Sequence, residues 1–151
     1  MQIMNKEKII GLLSPEASSK TADRLILALR LMFGIMLLTH GITKIVNFGA
    51  TAPMFPDPLG VGSAVSLGLA IFAEVGCSLA LLLGLLARPA CLVLAFNMFV
   101  AIAAVHHFDI LGAGELAFLY FVIFMAILLT GAGRYSVDHL LRSRLQAGAY
   151  M

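Results

Sequence analysis

Four apolar stretches, at roughly 25–46, 63–86, 89–106 and 114–132, occupy most of this 151-residue chain. A helix needs about 17–25 apolar residues to cross a bilayer, and each stretch is near that length. Four spans joined by short connections must bury their polar groups against one another, because hydrocarbon offers no hydrogen-bonding partner. Composition agrees: 61% of residues are hydrophobic and 12% charged, against about 45–50% and about 25% in soluble domains. The expected fold is an all-α membrane protein, a four-transmembrane-helix bundle of up-down-up-down connectivity.

Charge placement sets the expected orientation. Lys6, Lys8, Lys20, Arg24, Arg88, Arg134, Arg142 and Arg144 fall on one side of the bilayer, Lys44 on the other, and Arg30 within the first span. That bias places both termini in the cytoplasm. The expected organisation is a cytoplasmic N-terminal segment (1–23), a four-helix domain (24–134) and an amphipathic cytoplasmic tail (135–151). "IMNKEKIIGLL" reads as a helix lying on the inner surface, with Ser14-Pro15 restarting it, and not as a cleavable signal. No basic patch with interleaved aromatics supports nucleic-acid binding.

The connections carry local signals. In "NFGATAPMFPDPLGVGS" (47–63), Pro53, Pro56 and Pro58 forbid a continuous helix, and Pro56-Asp57-Pro58 should be rigid. Pro89 suits the first turn of the third span, and Ser136 suits the cap of a basic amphipathic tail helix. Small residues mark expected packing faces: Ser63, Ser66, Ala70, Ala73, Cys77 and Gly84 on the second span; Ala90, Asn97, Ala101 and Ala104 on the third. Cys77 and Cys91 should differ in depth by roughly 10 Å or more, too far for a disulfide, and read as small packing residues.

Ionisable groups in a membrane helix cost about 2.5–3.5 kcal/mol each on insertion scales, so each needs a partner or a purpose. Arg30, Glu74 and Asn97 lie within spans; His40, Lys44, His106, His107, Asp109 and Glu115 lie toward the outer side. Arg30, His40 and Lys44 fall within about 80° around the first helix, forming a polar seam that the bundle should enclose. Arg30, His40, Lys44, Glu74, Asn97, His106 and Glu115 are therefore the candidate small-molecule or proton site. Each has a structural reading too. Arg30 and Glu74 can neutralise each other and fix helix register. Lys44 can snorkel to headgroups, Asn97 can bridge helices, and His106 and His107 can be interfacial loop residues. A metal held by His40, His106, His107, Asp109 and Glu115, or a haem held by two histidines, is allowed by ligand count alone.

Several blocks resemble the DoxX family of small bacterial inner-membrane proteins: "RLMFGIMLLTHGITK", "FPDPLG", "AEVGCSLALLLGLLAR", "VHHFD", "GELAFLYF" and "TGAGRYSVD". The ordered series covers residues 24–138. The resemblance implies a four-span, multi-pass inner-membrane protein. It also implies association with oxidoreductase systems, such as quinol oxidase and thiosulfate:quinone oxidoreductase subunits or membrane-bound antioxidant complexes. The chain carries no recognisable cofactor-binding domain, so a partner redox protein or a bound small molecule would supply the redox centre. Three functional classes follow. One is a membrane subunit of an oxidoreductase complex binding a quinone or similar molecule; the second is a small-solute or proton permeation protein; the third is a structural anchor or assembly subunit. Whether the chain is an enzyme by itself, and whether it forms a homo-oligomer, stays open among them.

Overall fold

A computed structural model describes residues 19–148, and every described regular element is helical. The expected surface helix in 1–23, with its Ser14-Pro15 restart, lies almost wholly outside the described residues. The main elements are α1 (Ser19–Val46), α2 (Ser63–Leu83), α3 (Ala87–Val105), α4 (Glu115–Thr130) and α5 (Val137–Gly148). By length and apolarity α1, α2 and α3 suffice to cross a membrane, whereas α4 is apolar but has 16 residues. At 1.5 Å per residue α4 is about 24 Å long. Between α1 and α2, the short helical turns Phe48–Thr51 and Ala52–Met54 give way at Phe55 to extended chain, as the prolines require.

α3 and α4 form the most extensive pairing, and α1 packs along α2 with a smaller contact to α4. Buried side chains run through all four helices: Phe33 and Leu37 from α1, Cys77 and Leu81 from α2, Cys91, Leu94 and Met98 from α3, Tyr120, Phe124 and Ile127 from α4. An aromatic file joins α1 to α4, with Phe33 edge-on to Tyr120 at 5.5 Å and Tyr120 stacked on Phe124 at 5.7 Å. Both cysteines are buried free thiols within this core. The small-residue face of α2 is inward as expected, with Ser66, Ala70, Ala73, Cys77 and Gly84 buried. On α3 the inward stripe is instead Ala87, Ala90, Cys91, Leu94, Ala95, Met98 and Ile102; Asn97, Ala101 and Ala104 sit at its half-buried margin.

One end of the bundle is tied by a fully buried arginine. Arg30 Nε donates to the Leu81 carbonyl at 2.9 Å and Nη2 to the Leu82 carbonyl at 3.0 Å. Nη1 donates to Ala132 and Tyr135 carbonyls at 2.7 and 3.0 Å. A cation at the C-terminal turn of α2 also suits the helix dipole. Glu74 is therefore not the partner of Arg30, and the expected register-fixing pair does not form. The cause is axial: Arg30 lies level with Leu81 and Leu82, seven or eight residues along α2 from Glu74, or about 11 Å.

Asp138, in the first turn of α5, completes this end. Its carboxylate accepts the Leu86 and Ala87 N–H groups at 2.8 and 2.9 Å, capping the start of α3. Its own N–H donates to the Gly84 carbonyl at 2.9 Å. Ser136 caps α5 as expected, its hydroxyl accepting the His139 N–H at 3.2 Å. Gly84 stops α2 three residues before the expected end because it adopts φ +66°, and a side chain there would collide with Arg30 and Ser136.

Gly84→Ala should therefore destabilise the purified protein by at least about 2 kcal/mol, read as a lowered melting temperature in detergent. Gly49→Ala, where an added Cβ meets nothing within 4 Å, should leave the melting temperature unchanged.

Candidate functional site

Near the other end of α1, Lys44 meets Glu74 of α2 and, through it, Asn97 of α3. Lys44 Nζ lies 2.5 Å from each Glu74 carboxylate oxygen, and Asn97 Nδ2 is 3.4 Å from Oε1. The Glu74 side chain retains 5% exposure and that of Lys44 27%, so the anion is enclosed and the cation reaches it from a half-open position. Local backbone geometry makes this meeting feasible. Gly41, one turn before Lys44, lets α1 approach closely: a Cβ there would sit 2.9 Å from Glu74 Cβ and 3.1 Å from the Glu74 carbonyl carbon. Glu74 itself lies in a π-helical segment, Phe72–Cys77, inside α2. A second π-helical segment, Ala101–Val105, ends α3. Such single-turn widenings recur at functional sites.

Both π-helical segments border one cavity of about 440 Å³ between α2 and α3. Lys44, Glu74 and Asn97 form a polar cluster in a wall that, apart from Ser66, is apolar, with Leu69, Ala73, Phe96 and Val100 among its members. Phe55, Pro56, Pro58 and Leu59 from the 47–62 connection line it as well. Leu69, Phe72 and Phe96 are 49%, 61% and 56% exposed, so the cavity is rimmed by the apolar flank of the bundle. This shape and polarity suit a small amphiphile with an apolar body and one or two polar atoms.

Asp57 anchors the connection beside the cavity. Its carboxylate accepts the Val61 and Gly62 N–H groups at 3.0 and 2.7 Å and the Ser66 hydroxyl at 2.7 Å. The Ser66 hydroxyl and the Gly62 N–H, both donating to the charged form, hold the Asp57 carboxyl below the usual carboxylate range. In sequence, Pro56-Asp57-Pro58 reads as rigid because of its prolines, and the Asp57 carboxylate is given no role there. Its signal was Asp-Pro followed by a glycine-containing turn, which favours side-chain capping of the backbone.

The structure brings together Lys44, Glu74 and Asn97 of the predicted site residues and separates the others. Arg30 is engaged at the opposite end. His40 is exposed at the edge of the buried face of α1, its ring edge-on to Tyr120 at 6.5 Å, so the polar seam is not enclosed along its length. His106 is half-buried at the end of α3, and His107 and Glu115 are exposed. The Asp109 carboxylate accepts the Ala113 N–H at 3.0 Å within its own loop. Among the described residues no three of His, Cys, Asp or Glu are arranged to hold a metal ion. Of the residues in the metal reading, His40 lies on α1, His106, His107 and Asp109 at and beyond the end of α3, and Glu115 at the start of α4.

The family model for DoxX matches residues 25–107, a segment that contains the whole cavity lining. The chain belongs to the DoxX family. It is 31% identical over 118 residues to an uncharacterized protein of Haemophilus influenzae, covering 74% of this chain and 86% of that one. It is 30% identical over 129 residues to the inner membrane protein YqjF of Escherichia coli, covering 83% and 98% respectively. No solved structure matches the chain. Family, relative and three membrane-length apolar helices together make this DoxX protein a multi-pass protein of the inner membrane.

Because the folded Asp57 carboxyl is held low, its contribution to docking the connection is fully present above about pH 4 and is lost as pH falls through the folded value. Protection of the Val61 and Gly62 amides against hydrogen exchange, taken relative to the intrinsic rate at each pH, should fall across that acid window in the wild type. In Asp57→Asn the same amides should exchange faster at neutral pH and show no such acid step.

Proposed function

We propose that this DoxX protein is a membrane subunit of an oxidoreductase complex and that it holds a quinone or a similar small amphiphile in the α2–α3 cavity. One observation carries the reading: a bundle-flank apolar cavity with a partly buried Lys–Glu–Asn cluster, centred on the buried Glu74, in its wall. A quinone has a flat apolar ring and two carbonyl acceptors. Lys44 has a donor left after its two contacts with Glu74, and Asn97 has a second N–H to offer. Glu74 is placed to exchange protons with the reduced form, whose hydroxyls need an acceptor. Electrons would come from a partner redox protein docked on the bundle.

The topology proposed with this function is four crossings, up-down-up-down, with both termini cytoplasmic. Arg88, Arg134, Arg142 and Arg144 then lie on the inner face, and Lys44 is neutralised by Glu74 on the outer half. In this arrangement α4 spans with its short apolar length, and the cavity lies in the outer half of the bilayer, within reach of lipid-dissolved molecules.

Lipid extraction of the protein purified in mild detergent should yield quinone well above the level in an unrelated inner-membrane protein prepared alongside. Glu74→Gln and Asn97→Leu should each lower it by about tenfold, the loss expected for one buried polar contact. His40→Ala should retain it. Background quinone in the wild type would reject the proposal.

A further inference from the structure

A second cavity, also of about 440 Å³, lies at the opposite end of the molecule, between the start of α3, the segment after α4, and α5. Its lining is polar and basic: Arg88 from α3, Arg134 from the connecting segment, and His139 and Arg142 from α5. Two carboxylates, Asp23 and Asp138, also line it and are held by backbone donors, so the lining sets three guanidiniums against two carboxylates and keeps a positive excess. Asp138 accepts the Leu86 and Ala87 N–H groups, and Asp23 accepts the Arg134 N–H at 3.0 Å. Among the described residues the one carboxylate–cation pair within ion-pair distance is Lys44–Glu74, so the three cavity guanidiniums have no such partner. The buried Arg30 guanidinium, bonded to Ala132 and Tyr135 carbonyls of the same segment, adds positive charge behind the wall.

The surroundings suit a position at a membrane surface. α5 turns Asp138, His139 and Arg142 to the cavity, while Leu140, Leu141 and Leu145 are 59%, 49% and 77% exposed on its other flank. A helix with that division lies in the headgroup layer with its leucines in the acyl boundary. Guanidiniums match the paired oxygens of a phosphate group in fork geometry, and basic pockets between membrane helices suit anionic headgroups.

We infer that the Arg88–Arg134–Arg142 cavity binds a phosphate-bearing anion. The headgroup of an anionic phospholipid in the adjoining leaflet is the source that the exposed leucines of α5 favour. This site is independent of the α2–α3 cavity and of any quinone.

The test uses the full chain. Wild type, Arg88→Gln/Arg142→Gln and Arg24→Gln are purified from native membranes in mild detergent, and their retained phosphatidylglycerol is measured relative to phosphatidylethanolamine. Wild type and Arg24→Gln, whose arginine lies outside the cavity, should both be enriched in phosphatidylglycerol. The double variant should lose that enrichment by about tenfold or more. In a second arm, delipidated protein is titrated with inorganic phosphate while its melting temperature is followed. A rise in wild type that is absent in the double variant supports the site and identifies free phosphate as an occupant. If the double variant does not fold, Arg142→Gln, at an exposed position, gives the same comparison with a smaller loss. Equal enrichment in wild type and variant, or neither enrichment nor a phosphate response in folded wild type, overturns the inference.

Discussion

Glu74 is a carboxylate enclosed among four apolar helices, and its tolerance there depends on Lys44. Glu74 is enclosed and Lys44 only partly exposed, so removing the lysine strands a buried carboxylate and is strongly destabilising. Much of the local architecture follows from bringing these two together. α1 must approach α2 closely enough for the Lys44 ammonium to reach, which requires no side chain at Gly41. α2 opens into a π-helical segment where Glu74 sits. Asn97 then supplies the contact from α3. The cavity is the space left beside that cluster by the widened turns, and its walls are apolar because the neighbouring positions face core or lipid.

The molecule divides its polar chemistry between two ends with different consequences. Around Arg30, four of the five guanidinium N–H groups are matched by backbone carbonyls at the end of α2 and in the segment after α4, and Asp138 answers the unpaired N–H groups at the start of α3. That end fixes the arrangement of the helices. Around Glu74 the matching is incomplete, since Lys44 and Asn97 keep free donors facing an open volume. Saturated networks stabilise a fold, while unsaturated ones beside a cavity suit a ligand.

Much of this was legible in the residues. Apolar run length gave the helices to within a few residues, because the stop signals are local: Gly84 at the end of α2, Ser136 before α5. The inward face of α2 was readable from its small residues. The buried charges were found, but their pairing was not. Angular position around α1 put Arg30, His40 and Lys44 on one face, yet choosing Glu74's partner requires relative height between two helices, which a single sequence does not encode. Gly41 marks the level at which α1 meets Glu74, one turn from Lys44 and three turns from Arg30. His40 was misplaced for a related reason: an 80° sector is wide enough for one edge to leave the interface. Asp57 and Asp138 escaped notice because each caps a segment distant from the apolar pattern that guided the reading.

The energetic coupling of Lys44 to Glu74 is what this arrangement most depends on. Melting temperatures in one detergent, measured for wild type, Lys44→Met, Glu74→Leu and the double variant, form a double-mutant cycle. Lys44→Met should be strongly destabilising because it leaves the carboxylate alone, and the double variant should recover stability relative to it, with a coupling of about 2 kcal/mol or more. Strictly additive losses, with the double variant less stable than either single one, would contradict the pairing and the cavity chemistry built on it.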